Sequence, residues 1–422
     1  MPRLRLWLPV MVVLAVLVLM QGSPAALARP VADNAMLFIG DGMGPLHPRL
    51  GEALLGQPLA METMPYSGLA ATVNMDGEVT DSAAGATALA TGHKTRNGMV
   101  GVRPDGRRLE SIVERARRAG KAVGVVSNDA LWGATPAGFI AHAPNRGQSE
   151  DIALQVSRCG AQVMMGFGKE AFLPEKTGGT RKDGRDLVAE MRGQGYQVVF
   201  TREELMASEG KRLVGLFGDS DGPSLADMVR AALVRLERSP RGFLLVAEGA
   251  AIDWRAHGND PAGVALETRG LSEAVAGALT YAARQGRTLV VVTADHETGG
   301  LEIAEPSRLG ALRGVRMGGW EIADRLDQDR TNIAEVMTEC VGIADLTPAE
   351  VAEIKGAENA TAAIAAVLSR RVGVVWRTTG HTATPVKVYA FGPGAERFTG
   401  EMDNTDIPKR IARLLGLGPL PR

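Results

Sequence analysis

The feature that most constrains this chain is a set of apolar runs with no charge inside them: Ala35–Ile39, Ala122–Val126, Phe243–Ala247 and Thr288–Thr293. A strand that covers one face of a sheet alternates apolar with polar residues; an unbroken apolar run is buried on both faces. Between the runs lie amphipathic stretches at Leu109–Ala119, Pro223–Arg238 and Val264–Arg284, which predict helices. Strands alternating with helices predict an α/β fold, a central and largely parallel β-sheet sandwiched between helical layers. Shorter strands are expected at Leu69–Val73 and Val386–Phe391. A closing helix over Asp406–Leu415 carries Pro408 in its first turn. Residues 301–380 break the rhythm, with helices predicted at Asn332–Thr338, Thr347–Ile354 and Asn359–Arg370. We read them as an insertion between core elements of a single domain.

The first 28 residues do not belong to that domain. Arg3 and Arg5 precede an apolar run, Leu6–Met20, and the small-residue site Ala26-Leu27-Ala28, the pattern of a secretory signal cut after Ala28. The mature chain, 29–422, is expected in the periplasm or outside the cell, with no membrane span once the signal is removed. A net charge of −1 over 422 residues excludes a global electrostatic attraction to nucleic acid. The two cysteines, Cys159 and Cys340, fit either a disulfide permitted by export or two buried thiols. Asn359-Ala-Thr361 matches a glycosylation sequon, read as an accidental match on a helix.

Polar clusters follow the buried strands, where ligand sites of α/β sheets lie. Asp41 follows the first. Glu248, Asp253 and His257 follow the strand at Phe243, and Asp295-His296 follow the strand at Thr288; Thr379-Gly-His381 stands just before the strand at Val386. Asp253 and His257, four apart, share one face of a helical turn. Carboxylate with imidazole suits a borderline-soft dication such as zinc. Separately, Asp81-Ser82 opens a run of small residues, Ala83–Ala90, expected to form a closely packed helix. A serine at a helix N-terminus meets free N–H groups and the positive end of the dipole, which suits it to a phosphate. The same residues also make an ordinary N-cap. Together these groups are the equipment of a two-metal hydrolase acting on a phosphoryl group.

With these motifs in hand, the chain resembles the alkaline phosphatase family. Thr80-Asp-Ser-Ala-Ala-Gly-Ala-Thr87 is similar to that family's nucleophile motif. Glu248-Gly-Ala-Ala-Ile-Asp253, continuing to His257, and Thr293-Ala-Asp-His296 are similar to its metal motifs, in the same order. The resemblance covers the span from Phe38 to the His381 region. It implies Ser82 as a nucleophile that forms a phosphoseryl intermediate, and Arg146 as the clamp on phosphate, oriented by Asp81. One zinc would be held by Asp253, His257 and His381, and a second by Asp41, Asp295 and His296. Asp41, Thr135 and Glu248 would hold a third ion, magnesium. Small phosphate monoesters are the implied substrates, and a second copy of the chain the implied partner, since members are usually homodimers.

Two departures stand out. Gly133 occupies a position where relatives carry an Asp or His that supports the third metal, and Trp254 one where some relatives have Lys or His near the phosphate. Two other functions stay open at this level: a phosphodiesterase on the same metal core, and a non-catalytic zinc- or phosphate-binding protein.

Overall fold

The computed structural model describes residues 31–218 and 222–420; the signal sequence expected at 1–28 lies outside them. The described strands are β1 Asn34–Gly40, β2 Tyr66–Ala71, β3 Ala122–Ala130, β4 Val163–Phe167, β5 Gln197–Val199, β6 Leu213–Leu216 and β7 Phe243–Gly249. They continue with β8 Thr288–Thr293, β9 Glu297–Thr298, β10 Leu301–Ile303, β11 Val374–Trp376, β12 His381–Thr382, β13 Val386–Phe391 and β14 Gly400–Asp403. Ten of them form one sheet in the order β14-β2-β13-β8-β1-β7-β3-β4-β6-β5, with helices on both faces. Every residue of β7 and β8 is buried, as the unbroken apolar runs require.

All neighbours pair in parallel except β13, which is antiparallel to both β2 and β8. The reason lies in the segment before it. The chain leaves β8 at the C-terminal edge of the sheet, forms β9, and returns through β12, which pairs with β9. It therefore enters β13 from that same edge and must run the other way. Residues 301–380 add no strand to the ten-stranded sheet. Their 3-10 segment Pro306–Gly314 packs against the helices His47–Leu55 and Ala360–Val372.

Helix positions follow the sequence expectation to within a few residues: Ile112–Arg118, Leu225–Leu236 and Pro261–Gln285 in the first two-thirds, Ile333–Val341, Pro348–Gly356 and Ala360–Val372 later. Asn359 is the N-cap of the last of these, its side chain accepting from the Ala362 N–H at 3.1 Å. The stretch from 150 to 218, for which no element was expected, holds β4, β5 and β6, strands of three to five residues too short for a periodic signature. Cys159 and Cys340 are free thiols. No helix of the described residues is long and apolar enough to cross a membrane.

Candidate active site

Ser82 is the first residue of the helix Ser82–Thr91, whose ten residues are all buried. Small side chains make that possible. A Cβ on Gly85 would lie 3.0 Å from the Asp295 Cβ and carbonyl oxygen, so glycine lets this helix rest directly on the loop after β8. Asp81 caps the helix, its Oδ1 accepting from the Ala84 N–H at 3.0 Å. Its other oxygen, Oδ2, accepts from the Gly98 N–H at 2.9 Å and from Arg146 Nη1 at 3.2 Å. The cap and the orientation of the arginine are therefore one carboxylate's work. Arg146 keeps 42% of its side chain exposed, and among the described residues only its Nη1 is hydrogen-bonded. Ser82 is 4% exposed, and its Oγ lies 3.2 Å from His296 Nε2.

Two sets of metal-ligating side chains converge beside it. Asp253, His257 and His381 have ligand atoms within 4.8 Å of one another, and so do Asp41, Asp295 and His296. In the first set, His257 Nδ1 donates to the Thr379 carbonyl and His381 Nδ1 to the Thr80 carbonyl, the latter at 2.9 Å. A carbonyl only accepts, so both rings carry hydrogen on Nδ1 and turn Nε2 lone pairs inward. These Nε2 atoms are 3.2 Å apart, and Asp253 Oδ2 is 3.2 Å from that of His257. Acceptors so close repel unless a proton or a metal cation lies among them. Burial works against the Asp253 charge, but the His257 hydrogen bond and neighbouring histidines outweigh it and hold the carboxyl at about 2.

In the second set, Asp41 Oδ1 and Asp295 Oδ2 each lie 3.4 Å from His296 Nε2. Both oxygens are buried without a hydrogen-bond partner among the described residues, a costly state that a cation relieves. Burial pushes Asp295 up to about 7, helped by the Asp253 charge, and pushes His296 down to about 3. The residues fit metal ions at both places. Beyond Asp41, Thr135 Oγ1 donates to Asp41 Oδ2 at 3.4 Å, and Ser127 Oγ donates to Glu248 Oε2. Burial raises Glu248 to about 8, with the Asp129 charge adding to it.

The structure thus brings every sequence-derived candidate to one edge of the sheet. It also adds side chains that the sequence did not single out. Thr298 Oγ1 donates to Asp253 Oδ1 and lies 3.3 Å from His296 Nδ1; the His296 and His381 rings stack with centroids 3.6 Å apart, so the two clusters share a wall. Asn97 accepts from the Asp81 N–H at 3.1 Å. His47, read as an ordinary polar residue, is fully buried with its Nε2 unpartnered among the described residues, and burial lowers its pKa to about 4. Only Thr298 carried a usable signal, two residues past His296 on the short strand β9.

Gly42 shows how tightly the first cluster is built. Its φ is +67°, and a Cβ there would stand 2.6 Å from Asp253 Oδ1 and 2.7 Å from Thr298 Oγ1. Gly42→Ala is expected to lose about 1–3 kcal/mol from backbone strain alone and to push the Asp253 carboxylate out of place. Metal bound per chain, measured after equilibrium dialysis, should fall; a full complement of bound metal would contradict the crowding. Trp254, 38% exposed on the helix Ala251–His257, faces a cavity of about 1060 Å³ instead of offering a cation to phosphate. Trp254→Lys is expected to tighten inhibition by inorganic phosphate, and looser inhibition in the variant would refute this.

Buried strands that deliver carboxylates and imidazoles to one edge, in sets that fit cations, define a metal-dependent hydrolase. The profile of the alkaline phosphatase family matches residues 32–417, and the chain belongs to that family. It is 32% identical to alkaline phosphatase 4 of Bacillus subtilis over 91% of this chain and 89% of the relative. The crystal structure of Thermus thermophilus alkaline phosphatase superposes with a TM-score of 0.82 at 29% identity, covering 94% of each chain. A histidine-to-aspartate mutant of TAB5 alkaline phosphatase, with magnesium bound in its M3 site, matches at 27% identity and a TM-score of 0.70, covering 92% of this chain and 99% of that one. The protein is accordingly a metal-dependent enzyme that hydrolyses phosphate monoesters.

Proposed function

We propose that this chain is an exported alkaline phosphatase that works through a phosphoserine at Ser82, with two zinc ions and one magnesium. The observation that carries the reading is the position of Ser82, whose Oγ stands at a helix start 3.2 Å from a nitrogen of the second cluster. Mixed imidazole and carboxylate sets at Asp253/His257/His381 and Asp41/Asp295/His296 suit zinc, and the oxygen-only group of Asp41, Thr135 and Glu248 suits magnesium. The magnesium in the M3 site of the TAB5 mutant supports the last assignment. When bound, the cations lower the pKa of the serine hydroxyl and neutralise charge on the leaving oxygen.

The protein's own groups do the rest. The Ser82–Thr91 helix holds Oγ in place and directs its N-terminal dipole at the phosphoryl group. Arg146, steadied by Asp81, donates two parallel N–H groups to phosphate oxygens. Attack by Ser82 Oγ on phosphorus forms the phosphoserine and releases the alcohol; water then attacks the same phosphorus, frees inorganic phosphate and restores the hydroxyl. An exported homodimer with one catalytic domain from residue 29 onward, residues 301–380 forming an insertion beside the active site, is the form this reading implies.

The test is hydrolysis of a chromogenic phosphomonoester between pH 6 and 11, as isolated, after chelation, and after zinc is returned with or without magnesium. Activity rising into the alkaline range, abolished by chelation and restored by zinc supports the proposal. Turnover of a diester but not of the monoester would replace it.

A further inference from the structure

Gly133 lacks the side chain that relatives of this family carry toward the third cation, and the reason for the glycine is not its backbone. Gly133 has φ −57° as N-cap of the helix Ala134–Ile140, a conformation any residue adopts. The constraint is space. A Cβ at 133 would lie 2.7 Å from Asp129 Oδ2 and 2.8 Å from the Ala130 carbonyl oxygen. Another carboxylate, from the end of β3, already stands in the volume that a longer side chain at 133 would enter.

Asp129 is built into the same group of residues. Its N–H donates to Ser127 Oγ at 2.8 Å, and that hydroxyl donates to Glu248 Oε2, so one serine joins Asp129 to Glu248. Its Oδ1 accepts from the Ala130 N–H at 2.6 Å, while Oδ2 accepts no hydrogen bond among the described residues. Asp41 Oδ2 accepts from Thr135 Oγ1, while its Oδ1 faces His296 in the second cluster. Asp41, Thr135 and Glu248, with Ser127 and Asp129 adjoining them, offer oxygen donors alone, the chemistry that matches a hard dication. Asp129 also lines the cavity of about 1060 Å³, which opens a route for water to its carboxylate.

We propose that Asp129 completes the third cation site, holding the ion through its water shell in place of the side chain missing at Gly133. This rests on the third-site reading given above, and it makes Asp129 the carboxylate that fills the space beside position 133. The experiment titrates Mg²⁺ into zinc-loaded protein by equilibrium dialysis, with zinc content read on the same samples, for wild type, Asp129→Asn and Asp129→Ala. Asp129→Asn, nearly isosteric, and Asp129→Ala should each weaken Mg²⁺ binding about 10–100-fold with zinc content unchanged. Unchanged Mg²⁺ affinity in Asp129→Asn would overturn the role of Asp129 while leaving the third site standing. Loss of zinc together with Mg²⁺ in Asp129→Asn would also overturn it, marking Asp129 as a structural support. A wild type that takes up no Mg²⁺ would remove the site itself, and this assignment with it.

Discussion

Ser82→Ala should abolish turnover of phosphate monoesters while leaving the metal sites loaded. The hydroxyl is the proposed nucleophile, and its loss removes the covalent route; a fall of roughly 10³-fold or more in kcat is expected, as for other nucleophile deletions. The substitution is structurally mild. Ser82 sits at the first position of a helix whose cap is Asp81, and alanine is a good helix former. Zinc content and thermal stability should therefore stay near wild type. Acid quenching of wild type during turnover, followed by mass spectrometry, should find phosphate on Ser82 and none on the variant. Near-normal kcat in Ser82→Ala would mean that water attacks the substrate directly at this metal core.

The second large effect is on stability. Removing metal ions should destabilise the protein much more at pH 8.5 than at pH 5.5. Before a cation binds, burial keeps a proton on Glu248 up to about pH 8 and on Asp295 up to about pH 7, and the hydrogen bond to Asp253 raises His257 above its ordinary value. His296, pushed down to about 3 by burial, has no proton to lose over this range. Cation binding must displace the protons held by the first three, so affinity is weak in acid and grows as pH climbs through their pKa values. An ion present at a thousandfold excess over its Kd adds about 4 kcal/mol of stability. The difference in Tm between metal-loaded and chelated protein should widen steadily from pH 5.5 to 8.5. An equal difference at both ends would show that these groups are already ionised in the metal-free protein.

Much of this site was legible in the sequence because its signals are local. An unbroken run such as Thr288–Thr293 has one stable fate, a strand covered on both faces, and the polar residues that follow it land at the sheet's edge. That logic places Asp41, Glu248, Asp253, Asp295 and His296 together without coordinates. The small-residue helix was equally clear, since a face of Ala and Gly is made for close packing.

What only the tertiary structure decided is which of those groups face one another. The reversed direction of β13 follows from the pairing of β9 with β12, a contact between residues more than eighty positions apart. Thr298 joins the two clusters through the same fold-back. Asp129 gave no sign in the chain, since an acidic residue near a strand end is common; its meaning comes from the 2.7 Å between its carboxylate and the missing Cβ of Gly133. Periodicity and composition determine what each segment must bury, because those are properties of neighbours along the chain. The distance between two charges belongs to the packing of distant segments, and that is set only when the sheet is assembled.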